Sequence, residues 1–447
     1  MTRANKRRLG GWLPSNPELL RKWVTKLLSK PVADPSNYVP PIQGLQNLVA
    51  NTPSLQLTTQ AMFTEAYIYD PEDPTGAPSV TSWPQFLGLL NNIMTTSPEF
   101  IVERDGEAQG LVGFPINALL DWPMGTNSGY STFSSDLFNR QFQKVLKYWG
   151  QFLTTVESRY VLAHGDPDAD PPSIAWLSEL AKKQMVAVAC QPSQDSSACL
   201  NKKFEEIFQV PDPHDPEYLG FTSWDQFFTR EFQPGIRPVG FDVVVNACES
   251  APLQYKTNVQ LSEPFWLKGQ PYSLENMLNF DPLATQFAGG SVYQAFLSAL
   301  SYHRWHSPVD GEIKKAFVAN GSYYLENMNE GVYNPKHADS SAPNASQPFI
   351  TSVATRAVIF IEAYDRRIGL MAFVAVGMAE VSSCEITVSV GDTVNRGDQL
   401  GMFHFGGSTH CLVFQPSVSL NFQVPVTDKP NLDATNVAVK SNLATLV

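Results

Sequence analysis

The stretch MFHFGGSTHCLVF, near the end of the sequence, places a serine directly behind two glycines. Gly406 and Gly407 precede Ser408, and bulky apolar residues lie on both sides. A glycine pair within a strand pattern is typical of a bulge or turn. It also permits the strained geometry in which a serine hydroxyl attacks the preceding carbonyl and exchanges an amide for an ester. Elimination and hydrolysis would then leave a pyruvoyl group at a new N-terminus, and these residues alone leave both interpretations open.

A pair of histidines lies in the segment SYHRWHSPVDGEI. His303 and His306 are two of only seven histidines in the chain. In a strand this spacing points the two side chains to opposite faces, whereas in a turn they can converge. Each could be a structural residue or a general acid or base, because an imidazole titrates near neutral pH. A metal site is less favoured, since no cysteine or third ligand lies nearby.

A carboxylate, Glu249, follows the valine-rich segment VVVNAC. A carboxylate that emerges from an apolar strand needs a partner, and a histidine is the natural one. The alternative is an ordinary residue at the end of a strand, in contact with water.

The first half of the chain has the periodicity of helices. Helices are predicted for SNPELLRKWVTKLLSK, capped by Ser15, for SWPQFLGLLNNIM, capped by Ser82, for STFSSDLFNRQFQKVLKYWGQFLTTV, and for PPSIAWLSELAKKQMV, opened by Pro171 and Pro172. From about Phe241 the period shortens toward that of strands, with Gly and Asp at the turns. This order predicts the α+β class, with an N-terminal helical domain followed by a mainly β domain, a barrel or sandwich.

Chain length supports the same division. With 447 residues the chain is too long for one ordinary core. The segment CQPSQDSSACLNKK has few large apolar residues and is typical of a linker. We therefore expect a helical domain over residues 1–190, a linker over 191–204 and a catalytic domain over 205–447.

Composition restricts the partners and the compartment. The formal net charge of −12 disfavours nucleic acid or an anionic membrane surface as the main partner. The five cysteines are odd in number and contain no CxxC pair, which argues against a disulfide framework or a zinc site and favours a reducing compartment. The basic start lacks the apolar segment of a signal peptide, and no apolar run is long enough to cross a bilayer. We expect a cytoplasmic protein without a stable membrane anchor.

In this order, the three motifs resemble the phosphatidylserine decarboxylase family. The resemblance runs from FTSWDQFFTREFQPGIRPV through YHRWHSPVDGEI to VNRGDQLGMFHFGGST. The Gly-Ser-Thr processing site of the family begins here at Gly407 and continues with Ser408. The family's catalytic histidine falls on His306 and its neighbour on His303. The family's aspartate falls on Glu249, which is a departure because the carboxylate is one carbon longer.

The N-terminal half, the ACES motif and the double glycine are similar to a soluble fungal branch of this family, which includes L-tryptophan decarboxylases. The resemblance implies autocatalytic cleavage between Gly407 and Ser408, with His306 taking the serine proton while Glu249 orients it. It further implies a pyruvoyl cofactor made from Ser408, which would serve as electron sink in place of pyridoxal phosphate. The fragment 408–447 would stay bound as a non-covalent subunit.

The implied substrate is a free aromatic L-amino acid, with the conversion of tryptophan to tryptamine as first choice. Trp305 and Phe405 are expected to line the pocket together with Gly406 and Thr409, although aromatic residues here also suit core packing. Three alternatives remain: a phosphatidylserine decarboxylase that acts on lipid, a catalytically inactive scaffold of the same fold, and a hydrolase that keeps Ser408 intact.

Overall fold

The computed structural model describes residues 17–31, 33–68, 80–102, 109–112, 115–192, 196–263, 272–298, 300–330, 345–380 and 383–447. Helices dominate the first half of these residues and strands the second half. The α+β class and its helix-then-sheet order, predicted from periodicity, are therefore confirmed.

The helices of the first half pack through apolar faces. They are α1 (Pro17–Ser29), α2 (Pro40–Ala50), α3 (Pro53–Ile68), α4 (Trp83–Ile93), α5 (Pro115–Leu120), α6 (Asn127–Phe133), α7 (Asp136–Leu153), α8 (Tyr160–Ala163), α9 (Glu179–Cys190), α10 (Ser196–Leu200), α11 (Phe204–Ile207) and α12 (Trp224–Phe228). Short 3-10 turns occupy Pro35–Asn37, Pro123–Gly125 and Val156–Arg159. In α7 one face is buried, as its 3.6-residue periodicity predicts, through Phe138, Phe142, Val145, Leu146 and Trp149. Among the described helices, none is both long enough and apolar enough to cross a membrane.

Serine side chains set several helix boundaries. The Ser82 hydroxyl accepts a hydrogen bond from the Gln85 backbone N–H, which confirms this residue as the N-cap of α4. The predicted single helix that runs into α7 is wrong. Two helices, α6 and α7, meet there because Ser135 adopts an extended conformation and caps the second through the Phe138 N–H. The predicted cap Ser15 lies outside the described residues.

The helix predicted to open at Pro171 and Pro172 also begins later. Strand β3 (Ser173–Ile174) follows the two prolines, and α9 starts at Glu179 behind its N-cap Ser178. Strand β3 pairs with β1 (Glu99–Val102), which also pairs with β2 (Gln109–Val112) in a small three-stranded sheet. The N-terminal half is thus helical with one small sheet inserted.

The predicted linker contains a disulfide bond between Cys190, at the end of α9, and Cys199, in α10. The expectation that the cysteines form no disulfide is therefore wrong. Two helix ends bring together thiols nine positions apart, a spacing that matches no cysteine motif. The remaining cysteines, Cys248, Cys384 and Cys411, are free and buried. Since the reducing compartment was inferred from unpaired cysteines, that inference loses its support.

A seven-stranded antiparallel sheet is the centre of the second half. The remaining elements are β4 (Val244–Val245), β5 (Ala251–Val259), α13 (Leu274–Met277), the 3-10 turn Pro282–Phe287, β6 (Gly290–Leu297), β7 (Arg304–His306), β8 (Gly311–Ala319), α14 (Gln347–Val353), β9 (Arg356–Ala363), β10 (Leu370–Gly377), β11 (Cys384–Ile386), β12 (Thr393–Val394), β13 (Gln399–Phe403), β14 (Ser408–Phe414), β15 (Leu420–Phe422) and β16 (Asn442–Leu446). The strand order is β12-β8-β9-β10-β14-β6-β5. This sheet is open at β12 and β5, so the described strands form layered sheets and no closed barrel.

The large sheet lies between two cores. Along β10, Val374 and Val376 belong to the core shared with the N-terminal helices, whereas Phe373 and Ala375 belong to a second core. The second core is closed by the three-stranded sheet β11-β13-β7. Alternate residues of a strand point to opposite faces, so the near-continuous apolar sequence of β10 follows from burial on both sides.

Strand β14 carries a histidine into the second core. His410 is fully buried between the rings of Phe373 and Tyr293. Burial lowers the pKa of His410 to about 3, although an interaction with the Ala295 backbone opposes the shift. The imidazole is therefore neutral in the folded protein at neutral pH.

The variant His410→Gln tests this burial. Between pH 6.5 and about 3 the unfolded chain binds a proton at His410 that the folded chain does not, so the free energy of unfolding falls as the pH falls. One such proton costs up to about 1.4 kcal/mol per pH unit. Urea denaturation at fixed protein concentration should show a shallower decline for His410→Gln than for wild type. The exposed control His214→Gln should keep the wild-type slope, and equal slopes for all three proteins would contradict the burial argument.

Candidate active site

The GGST segment lies where a loop enters β14, an interior strand of the large sheet. Gly406 has φ +88°, a conformation that favours glycine. The Gly407 carbonyl accepts a hydrogen bond of 3.1 Å from the Met378 N–H. Ser408 is the first residue of β14 and pairs with Gly377 on one side and with Leu297 of β6 on the other.

The Ser408 hydroxyl is buried and lacks a hydrogen-bond partner within the described part of the chain. The Ser408 residue is 1% exposed, so bulk solvent does not reach the hydroxyl. Buried hydroxyls are normally hydrogen-bonded, and an exception calls for an explanation. A hydroxyl without partner, next to a carbonyl that already accepts a hydrogen bond, is suited to nucleophilic attack on that carbonyl.

Thr409 points to the opposite face of β14 and is held by a polar network. Its hydroxyl donates to the Ala295 carbonyl at 3.0 Å and accepts from the Gln294 amide at 3.1 Å. The Gln294 amide oxygen accepts from the Tyr272 hydroxyl. These contacts fix the backbone directly after Ser408. Thr409 therefore stabilises the start of β14.

His303 is brought to the end of the sheet where Ser408 lies. Its ring is fully buried and stacks on Phe228 of α12 with the centroids 4.0 Å apart. Burial and the positive charge of Arg230 lower the pKa of His303 well below its ordinary value, opposed by an interaction with the Ser298 backbone. Ser298 directly follows the end of β6, whose last residue pairs with Ser408. His303 is thus a neutral imidazole at this end.

His306 has both ring nitrogens engaged. Its Nδ1 lies 2.8 Å from the Gly397 carbonyl, which can only accept, so Nδ1 carries the proton. Its Nε2 therefore accepts from the Tyr302 hydroxyl at 3.0 Å. Burial, together with the charge of Lys440, lowers the pKa of His306 to about 3. This histidine is neutral, and its basic nitrogen faces a phenol.

The resemblance implied that Glu249 orients His306, but the hydrogen bonds of this carboxylate go to other groups. Its carboxylate oxygens accept from the Arg237 guanidinium at 2.7 and 2.9 Å, from the Asn436 amide at 3.0 Å and from the Val439 N–H at 2.9 Å. No hydrogen bond joins Glu249 to His306 among the described residues. The sequence offered no sign of this because Arg237 lies in a separate segment whose approach depends on the fold.

One packing route between Glu249 and His306 runs through Arg237 and two aromatic rings. The Arg237 guanidinium lies 4.3 Å from the centroid of Phe232, and Phe232 stacks on Tyr302 at 4.7 Å. Tyr302 in turn is the hydrogen-bond partner of His306. The carboxylate thus influences the position of the histidine indirectly, through packing.

Trp305 lies in the second core. It is fully buried, with ring centroids 5.0 Å from Phe403 and 5.7 Å from Phe373. A Cβ placed on Gly401 would lie 2.6 Å from the indole, so the tryptophan packs directly on a glycine backbone. These contacts are those of a residue packed in the core.

Phe405 lies against the N-terminal helices. Its ring packs edge-on against Trp149 of α7 at 5.1 Å, and it lines a cavity of about 560 Å³. The α7 residues Gln143 and Lys147 line the same cavity. The segment before the Gly407–Ser408 bond therefore contacts both halves of the protein, and the cavity has the size of a small-molecule site.

His404 was missed by the sequence interpretation. Its Nδ1 lies 3.1 Å from both Asp225 oxygens and its Nε2 lies 2.6 Å from Glu385. Burial alone would lower the pKa of His404, but the hydrogen bonds and charges of the two carboxylates outweigh it and raise the pKa. The local sequence HFGG does not predict these contacts, because Asp225 and Glu385 come from distant segments of the chain. No group of three or more His, Cys, Asp or Glu residues in the described ranges is arranged to hold a metal ion.

A second, narrower cavity of about 20 Å³ adjoins the GGST segment. Met378, whose N–H binds the Gly407 carbonyl, lines it together with Gly377 and Tyr324. Asn117, from α5 in the N-terminal half, lines the same cavity. The surroundings of Ser408 are therefore built from both halves of the chain.

Comparison with known proteins gives matches in both halves. Profiles described as phosphatidylserine decarboxylase match residues 39–185 and 224–436. The decarboxylase iboD of Amanita muscaria is 41% identical over 347 residues, which cover 75% of this chain and 94% of that protein. The L-tryptophan decarboxylase of Psilocybe cyanescens is 33% identical over 415 residues, which cover 90% of this chain and 87% of that protein.

A more distant relative is the phosphatidylserine decarboxylase proenzyme 3 of Schizosaccharomyces pombe, 32% identical over 204 residues, which cover 45% of this chain and 19% of that protein. The Amanita and Psilocybe decarboxylases, by contrast, match through most of their own length and most of this chain. The chain therefore belongs to the phosphatidylserine decarboxylase family and is a decarboxylase related to those of mushrooms.

Proposed function

We propose that this protein is a proenzyme that cleaves itself between Gly407 and Ser408 and then decarboxylates a free aromatic L-amino acid, with tryptophan as the first candidate. One observation carries the proposal: the buried Ser408 hydroxyl has no partner in the described residues, and the carbonyl before it is held by the Met378 N–H. The related phosphatidylserine decarboxylase of Schizosaccharomyces pombe is named a proenzyme, which agrees with such cleavage.

The cleavage begins when the Ser408 oxygen loses its proton and attacks the Gly407 carbonyl carbon. The Met378 N–H donates to the carbonyl oxygen as that oxygen gains negative charge. The amide C–N bond breaks as the nitrogen takes up the proton that Ser408 lost, which leaves an ester and a free amino group. Loss of the Ser408 α-proton then breaks the ester C–O bond and leaves a Gly407 carboxylate and a dehydroalanine. Hydrolysis of the imine form of this dehydroalanine releases ammonia, and residue 408 becomes a pyruvoyl group.

Two neutral histidines are the candidate acceptors of the Ser408 proton. His306 occupies the position of the family's catalytic histidine, and its Nε2 lone pair is directed at the Tyr302 hydroxyl. His303 interacts with Ser298, next to the strand partner of Ser408. We therefore assign the proton transfers to the pair, rather than to His306 alone. In catalysis the pyruvoyl ketone would bind the substrate amine and take up the electrons left by CO2.

The choice of a free amino acid rests on the N-terminal half. An L-tryptophan decarboxylase is similar to this chain over 90% of its length, and the helices of the N-terminal half share a core with the sheet that contains Ser408. The cavity of about 560 Å³ beside Phe405 can accommodate an amino acid of aromatic size. The phosphatidylserine decarboxylase proenzyme 3 of Schizosaccharomyces pombe matches only 45% of this chain, which makes phosphatidylserine the second candidate.

The variant Ser408→Ala tests the proposed function. Without the hydroxyl, the chain should stay in one piece and form no tryptamine, whereas wild type should give two chains and tryptamine. The matched control Ser417→Ala changes an exposed serine of the same fragment and should behave as wild type. Intact mass spectrometry follows the chains, and chromatography follows amine release from free tryptophan and from phosphatidylserine vesicles. Amine release from vesicles alone would contradict the choice of substrate, and a cleaved Ser408→Ala chain would contradict the mechanism.

The variant Met378→Pro tests the role of the backbone N–H. Proline removes that donor, so cleavage should slow by a factor of about 100 or more, the usual effect of losing one oxyanion donor. Met378→Leu keeps the N–H and the apolar volume and should cleave at nearly the wild-type rate. The measurement is the rate at which fragment 408–447 appears after synthesis, with near-UV circular dichroism as the check on folding. Equal cleavage rates for the two variants would rule out this role.

A further inference from the structure

The narrow cavity beside Met378 contains several buried polar groups that lack hydrogen-bond partners within the described ranges. They are both amide atoms of Asn117 and the Tyr324 hydroxyl, and one oxygen of Glu380 lies in the same neighbourhood. All three residues are less than 5% exposed. An unsatisfied buried polar group costs free energy, so several together indicate a ligand or an ordered water.

The location of this group relates it to the reaction. Asn117 and Tyr324 line the cavity with Gly377 and Met378. Gly377 pairs with Ser408 in the sheet, and the Met378 N–H binds the Gly407 carbonyl. Gly377 and Met378 thus border both the cavity and the bond proposed to be cleaved.

Glu380 fixes Asn117 at this place. One Glu380 oxygen accepts from the Ile116 N–H at 2.6 Å and from the Asn117 N–H at 2.8 Å, which ties the start of α5 to the end of β10. Burial raises the pKa of Glu380 to about 8, so its carboxyl is largely neutral at pH 7. Glu380 acts as a positioning residue, since it holds the helix that presents Asn117.

The chemistry of the cavity favours a hydrogen-bond donor on the ligand. The Asn117 amide and the Tyr324 hydroxyl can each donate and accept. Glu326, a second buried carboxyl group, also lines the cavity. A substrate carboxylate can only accept and would lie beside the Glu326 carboxyl group, with no Lys or Arg among the residues that line the cavity, which disfavours an anion here. A neutral N–H or O–H group meets acceptors on several sides.

We propose that Asn117 and Tyr324 form a specificity subsite that binds the N–H or O–H donor of the substrate side chain, such as the indole N–H of tryptophan. This inference rests on the proposed function and extends it by ranking substrates that the sequence leaves unranked. A cavity of about 20 Å³ holds one water-sized group, so it receives the polar tip of a side chain while the ring lies outside it. Phenylalanine, which has no donor, leaves the subsite unsatisfied.

The test compares L-tryptophan with its isostere β-(3-benzothienyl)-L-alanine, in which sulfur replaces the indole N–H. Wild type should prefer tryptophan by about tenfold or more in kcat/KM, the effect of one hydrogen bond to a buried site. Asn117→Leu and Tyr324→Phe should each bring this ratio close to one. Tyr323→Phe, which removes a neighbouring hydroxyl outside the cavity lining, should keep the wild-type ratio. Intact mass before the assay confirms that each variant is cleaved and therefore folded.

The outcomes separate the inference from the function on which it rests. An unchanged ratio in both Asn117→Leu and Tyr324→Phe means that the cavity holds only a structural water and overturns the inference alone. An equal loss of turnover on both substrates means that the subsite binds a group common to all amino acids, and this also overturns it. Cleaved wild type that decarboxylates no aromatic amino acid overturns the proposed substrate class, and the inference fails with it.

Discussion

The site depends on the position of β14 in the interior of the large sheet, hydrogen-bonded to a neighbour on each side. Its first residue, Ser408, is held in register with Gly377 and Leu297, and the backbone beyond the end of β10 continues the pairing to the Gly407 carbonyl. The peptide bond before Ser408 therefore cannot move away from the Met378 N–H without breaking the ladder. A strand boundary gives the rigidity that positions a nucleophile against a carbonyl, while Gly406 absorbs the backbone strain just before it.

The same arrangement would keep the two products of cleavage together. Strand β14 stays between β10 and β6, and β16 pairs with β4 in another sheet. Glu249 and Arg237, a buried ion pair of the larger fragment, would also hold the smaller one. The Glu249 carboxylate accepts hydrogen bonds from Asn436 and from the Val439 N–H. Its carboxylate thus has a structural use that the comparison of motifs did not suggest. The N-terminal half contributes through Asn117, which the Glu380 carboxyl holds beside the end of β10.

The sequence predicted what depends on local patterns. Ser82 was identified as a helix cap, and the order of helices and strands followed from hydrophobic periodicity. The self-cleavage of GGST stays a prediction from the family resemblance, because the residues alone left a turn and a cleavage site open. The contacts that complete the site were not predicted: the Met378 donor is a backbone group, and the Arg237 partner of Glu249 comes from a separate segment. Such pairings arise from tertiary packing, which a one-dimensional pattern does not encode. The pairing of Cys190 with Cys199 was missed for the same reason.

The central claim is that residue 408 of the mature protein is a ketone and no longer a serine. Reduction with sodium borodeuteride, followed by mass spectrometry of the separated chains, tests it most directly. The account predicts a large chain that ends at Gly407 and a small chain whose first residue gains one deuterium on carbon and has no free amino group. A single intact chain, or a small chain that begins with an unlabelled Ser408, would contradict it.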